Sequence, residues 1–287
     1  TRRLTGKYST SSARYQHDIW NETAISPDFL YVLDQENKKA NGSVERYIYL
    51  QYQNKHTTIV DMITSIVRAT PQDFSLRELL SVFFTQSGMR RSIDKAYEIV
   101  VYSLFETVIN ALEAKISIHV PDEKHALLSE FANLAKILLG VDTSNPSWET
   151  QAHVYRVGVT NAADRGLDMW ANFGPAVQIK HITLNEKLAQ RIIDQIEGDH
   201  IVIVCRDADK ATIEVILKQI SWGRRVQGIV TEDDLVAWYE KCLRGTFAAD
   251  LGQRLLDLLV VHFKKEFPQV ETLIEFLQER SYTTIDP

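Results

Sequence analysis

The chain is expected to fold as an α/β protein (α+β-like) with a mixed central sheet flanked by helical N- and C-terminal segments. Two features predict this. From residue 154 to 243, strand-like runs alternate with helical runs of about a dozen residues. Within that stretch, Ile201–Cys205 reads Ile-Val-Ile-Val-Cys, a continuous apolar strand of the kind buried inside a sheet.

Taken in order, residues 1–28 are polar, rich in Ser and Thr and weakly patterned, so irregular structure with a short helix is predicted. Short strands are predicted at Phe29–Asp34 and Val44–Gln51, around the turn-prone Gln35–Ser43 with its Asn41-Gly42. Thr57–Arg68 carries Ile59, Met62, Ile63 and Ile66 at helical spacing and stops at Thr70-Pro71. Ser75 caps a helix over Leu76–Gln86, with Glu78 at the capping-box position and Gly88 as the stop. A long helix runs from Ser92 to about Lys115. Its apolar stripe, from Ile93 through Tyr97, Val101 and Leu104 to Leu112, is wide enough to be buried against more than one neighbour. Ile116–Val120 reads as a strand, and His125–Leu139 as a helix ended by Gly140.

Val141–Gln151, with Asn145-Pro146, is the predicted linker. It divides a mainly helical region, 1–145, from a core with C-terminal helices, 146–287. Strands are then predicted at Val154–Val159, Gly166–Ala171 and Ala176–Ile182, followed by a helix over Asn185–Glu197 closed by Gly198. After Ile201–Cys205 come a helix at Ala208–Ile220, a strand at Val226–Val230 and a helix at Glu232–Leu243 with Thr231 as N-cap. Helices at Ala248–Lys265 and Gln269–Arg280 close the chain, with Pro268 at the start of the second.

With 287 residues there is material for one large domain or two small ones. An apolar content of 45% with 24% charged residues is that of a soluble globular protein. No apolar run approaches the ~20 residues that span a bilayer, and no signal-peptide pattern is present, so an intracellular protein is expected. The first residue is Thr1 and not Met, which suggests processing or trimming. Cys205 and Cys242 lie in apolar segments and read as reduced core residues, without a disulfide framework or zinc site. The net charge of −6 does not by itself indicate a nucleic-acid partner. Local basic pairs permit one: Arg2-Arg3 with Lys7, Lys38-Lys39, Arg90-Arg91 and Arg224-Arg225.

The chemistry concentrates between Val154 and Thr183. Asp168 ends a Gly-Leu-Asp, a turn signal follows at Asn172–Pro175, and the next apolar run carries Gln178 and Lys180. Residues two apart on a strand share a face, so Gln178 and Lys180 project together and His181 turns away as a structural histidine. A tight connection would bring the Asp168 carboxylate beside them. A polar pair inside an apolar strand costs energy if unpaired, and phosphodiester hydrolysis gives both groups work. An acid can hold Mg²⁺, an amide oxygen can join the metal or its water shell, and a lysine can orient water and neutralise charge on the phosphorane.

Gly-Leu-Asp, ten residues further Gln-Ile-Lys, resembles the PD-(D/E)XK nuclease superfamily in the variant where Gln replaces the second acid. The run from Arg156 to His181 looks most like a type II restriction endonuclease. The resemblance implies a restriction-endonuclease-like core: a helix, a three-strand meander, a helix and a further strand, which 124–205 can supply. It implies Asp168 as the metal-binding acid, Gln178 at the second metal position and Lys180 as the catalytic lysine. Asp164, in the preceding turn, is a rival acid. Superfamily members often add a helix glutamate; Glu98 is the first choice, with Glu130 and Glu106 behind it. Trp170 and Phe173 flank the acid and are expected in the core, with packing on a sugar or base as the alternative.

The implied function is Mg²⁺-dependent endodeoxyribonucleolytic cleavage of specific double-stranded DNA by a homodimer. Arg90, Arg91, Arg224 and Arg225 are candidate DNA contacts. A repair or junction-resolving nuclease, or a catalytically silent DNA-binding protein, would share the same fold.

Overall fold

The computed structural model describes residues 27–86, 89, 92–157, 167–196, 198, 200–219, 225–267 and 279. The chain divides into two compact units, one of residues 61–268 and one of 1–60 with 269–287.

In the smaller unit the sequence reading is corrected. The segments read as strands at 29–34 and 44–51 are helical, within α1 (Pro27–Lys39) and α2 (Ser43–Arg68). Asn41 and Gly42 do make a tight turn, with φ of 51° and 83°, but the turn joins helices. The Asn37 side-chain oxygen accepts from the amides of Val44 and Glu45, both at 3.0 Å, and so satisfies donors at the start of α2. An Asn-Gly turn serves a helix pair as readily as a hairpin. Once Thr57–Arg68 is helical, each residue added to its start costs far less than a new nucleus.

In the larger unit, α3 (Leu76–Thr85) is capped by Ser75, whose hydroxyl accepts from the Glu78 amide at 3.3 Å. α4 (Ile93–Leu112) is buried continuously from Ala96 to Val101, because it packs on the sheet on one side and on helices on the other. That is the burial its wide stripe requires. β1 (Lys115–His119) pairs antiparallel with β2 (Ser147–Gln151), so the predicted linker contains a strand. Between them lie α5 (His125–Glu130) and α6 (Ala132–Leu139), broken at Phe131 where one helix was read, with Gly140 at φ 71° as the stop.

The main sheet has five strands in the order β3-β4-β5-β6-β7. β3 (Val154–Arg156), β4 (Met169–Ala171) and β5 (Ala176–Leu184) form an antiparallel meander. β6 (Ile201–Ala208) and β7 (Val226–Val230) then run parallel to β5, with α7 (Glu186–Gln195) and α8 (Lys210–Gln219) as the crossovers. α9 (Glu232–Arg244) starts on a full capping box between Thr231 and Asp234, and α10 (Ala248–Glu266) packs on α4 and α9. The fold class read from the sequence, a mixed sheet between helical segments, is the one observed. The helix read at 269–280 lies outside the described residues except for Glu279, which is helical.

Alternation in the parallel strands sorts the two cores. Ile201, Ile203 and Cys205 face α7 and α8, forming a cluster with Ala176, Ile192, Ile193 and Ile213. Behind the sheet, Tyr97 of α4 donates its hydroxyl to the Cys205 carbonyl at 3.2 Å, and Tyr239 of α9 donates to the Val100 carbonyl at 2.8 Å. Both cysteines are buried and free. Among the described residues no helix is long and apolar enough to cross a membrane.

Candidate active site

Asp168 sits where the meander begins. Its amide donates to the Val177 carbonyl at 3.1 Å, and its carbonyl accepts from Val157 at 2.9 Å, so its backbone is held from both sides. The turn at 172–175 closes with Ala171 donating to Pro175 at 2.8 Å, and Gly174 takes φ 118°, which a side chain would resist. This register brings the acid onto β5. Asp168 Oδ2 accepts from Gln178 Nε2 at 2.5 Å and from the Ile179 amide at 2.6 Å.

Gln178 is only 1% exposed, so this contact resolves the cost of an amide inside an apolar strand. Lys180 is half-buried one pleat further along, and the β5–β6 register slips immediately after it.

α4 brings the next group. Glu98 is buried there. Lys95, one turn earlier, donates to both of its oxygens at 2.9 and 2.8 Å. Arg156 of β3 approaches Glu98 at 3.6 Å and pairs with Glu266 of α10. The electrostatics join α4 to the meander. Burial pushes the Asp168 carboxyl up to about 6, and Glu98 adds to the shift, while the Ile179 amide, Lys180 and Lys95 oppose it. Gln178 is thus hydrogen-bonded to Asp168, and Lys180 and Glu98 lie close enough to act on its charge.

Lys95, Arg156 and Glu266 were not foreseen. Lys95 had a local signal, a lysine i,i+3 from Glu98. Glu266 had none, since only the packing of α10 brings it near Arg156.

The other candidates fall elsewhere. Glu106 contacts His262 at 2.7 Å, and Glu130 is exposed on α5. His181 is buried between Phe84 and Tyr97, 3.5 Å from Glu232, on the face opposite Gln178. Arg225 donates to the carbonyls of Ile196 at 2.5 Å and Gly198 at 2.9 Å, which closes the end of α7. Lys38 and Lys39 pair with Asp34 and Glu36 on the surface. Arg2, Arg3, Lys7, Arg90, Arg91, Asp164 and Arg224 lie outside the described residues.

Trp170 and Phe173 are corrected: they are 44% and 41% exposed, not core. Trp170 pairs across the strands with Tyr155, and the rings stack at 4.5 Å.

Among the described residues, no three His, Cys, Asp or Glu side chains form a ready metal cage. The donor set here is two carboxylates and one amide, all oxygen, which suits a hard divalent ion.

Comparison with known proteins identifies the family. A profile of the HaeII restriction endonuclease family matches residues 1–282. The chain is 43% identical over 282 residues to the type II restriction enzyme HaeII of Haemophilus aegyptius, covering 98% of this chain and 80% of that one. It is also 43% identical over 284 residues to the type II restriction enzyme NgoBI of Neisseria gonorrhoeae, with the same coverage. No solved structure matches it. A family match along nearly the whole length, with relatives at this identity, leads to one conclusion: the chain belongs to the HaeII restriction endonuclease family.

Proposed function

We propose that the chain is a Mg²⁺-dependent endodeoxyribonuclease that hydrolyses phosphodiester bonds at a specific double-stranded sequence, acting as a homodimer in the bacterial cytoplasm. The observation that carries this reading is the convergence of Asp168, Gln178 and Lys180 on the β4–β5 register, with Glu98 supplied by α4.

In this reading Asp168 and Gln178 hold the metal, helped by Glu98. A bound Mg²⁺ supplies Lewis-acid polarisation of the phosphate and a lowered pKa for water. The protein's own groups do the rest. The Ile179 amide and the Gln178 amide nitrogen fix one Asp168 oxygen, which orients the other. Gln178 keeps its carbonyl oxygen as a neutral donor. Lys180 orients the attacking water and offsets charge growing on the phosphorane. Lys95 and Arg156 hold Glu98 in place until it is needed. Trp170, two residues from the acid, and Tyr155 stacked on it from β3 are exposed and offer aromatic faces to a sugar or base.

The proposed division of labour gives hydrolysis to 146–287 and recognition and dimerisation to 1–145, with Glu98 and Lys95 lent from α4. Arg90, Arg91 and Arg224 remain proposed DNA contacts; Arg225 keeps that proposal only with the part of its guanidinium not bonded to α7. The deciding experiment incubates the protein with plasmid DNA and Mg²⁺ and sequences the fragment ends. Discrete fragments with one common end sequence are expected. Intact plasmid, or cutting confined to branched or damaged DNA, would refute the reading.

A further inference from the structure

Residues 115–151 form a small subassembly whose elements make their principal contacts with one another. In the β1–β2 ribbon both strands alternate between exposed and half-buried residues, so one face is only partly covered and the other is open. A two-stranded ribbon of this kind is marginal alone in water. Its interior anchors are few: Leu128 and Val141 are buried, and the Trp148 ring donates to the Leu139 carbonyl at 2.5 Å.

The helices it carries are apolar on the outside. None of the residues of α6 is buried. Leu127, Phe131, Leu134 and Leu138 follow one another at spacings of four, three and four, and the bonds from the Phe131 amide to Leu127 and from the Ala135 amide to Phe131 carry this face across the kink between α5 and α6. All four are exposed, Leu138 to 71%, and Ile137 beside them is 81% exposed. Such a patch is large for a surface in water. With Leu139, these side chains offer on the order of 600 Å² of apolar surface, most of the ~800 Å² that each partner buries in a standard interface.

Charge narrows the choice of occupant. Between Ala126 and Val141 the charged residues are Glu130 and Lys136, and Lys136 is already paired with Asp142 at 3.4 Å. DNA phosphates find nothing to neutralise them here. A face that is apolar and nearly uncharged is complementary to itself, and a twofold axis repeats the same patch on both partners.

We propose that the α5–α6 stripe is the surface through which two copies of this chain associate. The proposal rests on the homodimer reading above and adds which surface forms the contact. Dimerisation would give α6 the burial that its sequence asks for and the other described residues do not provide.

The test is sedimentation velocity on the full chain beside two variants, Ile137→Glu with Leu138→Glu, and Leu127→Ser with Leu134→Ser. Wild type is expected to sediment as a dimer. Each variant is expected to dissociate about a hundredfold more readily. Circular dichroism should show unchanged helix content, because the substituted side chains are exposed.

A dimeric wild type whose variants stay fully dimeric would overturn the proposed surface while leaving the homodimer intact. A monomeric wild type would overturn both, and the stripe would then be covered by other residues of the same chain. DNA cleavage is not the readout, so failure of the nuclease reading would not be mistaken for failure of this one.

Discussion

Gln178 Nε2 lies 2.5 Å from Asp168 Oδ2, so the amide that stands in for a second acid is a donor to the first. An acid at position 178 could not make that bond while ionised. Gln178→Glu would set two buried carboxylates against each other and leave Asp168 without its side-chain donor. In chelator the variant should be less stable by about 1–3 kcal/mol at pH 8. Mg²⁺ should restore most of the loss. Thermal melts with and without Mg²⁺ decide this, and a variant equally stable in chelator would count against the proposed pairing.

Asp168→Ala and Lys180→Ala should each reduce plasmid cleavage by at least about 10³-fold. Specific DNA binding should survive, since neither residue is assigned to recognition. Cleavage by either variant at the wild-type rate would remove it from the site.

The Asp168 carboxyl carries a pH signature. Its folded value, about 6, lies above its ordinary 3.8, so between those limits the folded state binds more protons than the unfolded one. Metal-free stability therefore falls as pH climbs through that window, and the loss is complete above it. Asp168→Asn keeps an acceptor for Ile179 and removes the charge. It should melt higher than wild type at pH 8 in chelator and alike near pH 4. At low Mg²⁺, cleavage should rise with pH through about 6, and raising Mg²⁺ should move that limb to lower pH.

Lys95 holds Glu98 through both oxygens, and its charge also reaches Asp168. Lys95→Met should cost about 1–3 kcal/mol in chelator and less with Mg²⁺, because a bound cation would take over part of the lysine's role. Urea unfolding in the two conditions measures the difference. An equal cost in both would show that Lys95 has no bearing on the metal.

Trp170, stacked on Tyr155 and open to solvent, should act in binding and not in the chemical step. Trp170→Ala is expected to raise KM about tenfold with kcat little changed. A fall in kcat with KM unmoved would contradict that assignment.

Much of the site was legible before any coordinates. Asp168, Gln178 and Lys180 lie within one meander, where strand alternation and a Pro-containing turn dictate which side chains meet. The alternating strands and helices from 154 to 243 gave the mixed sheet, and the wide stripe of α4 foretold its burial. The N-terminal segment was misread because Val44–Gln51 alternates like a strand over a few residues. Only its continuity with the helix at 57–68 settles it as α2, and cooperativity then carries the helix back to the Asn41-Gly42 turn.

What the sequence determined by itself was therefore local: the periodicities, caps and turn that build β4 and β5 and present an acid, an amide and a lysine together. Tertiary structure alone decided what lies beside them. Glu98 and Lys95 come from a helix some 70 residues away in the chain, Arg156 is tied to Glu266 of α10, and the shift of Asp168 depends on burial together with the charges of Glu98, Lys180 and Lys95. Desolvation and charge pairing act through space, between groups that no spacing rule connects.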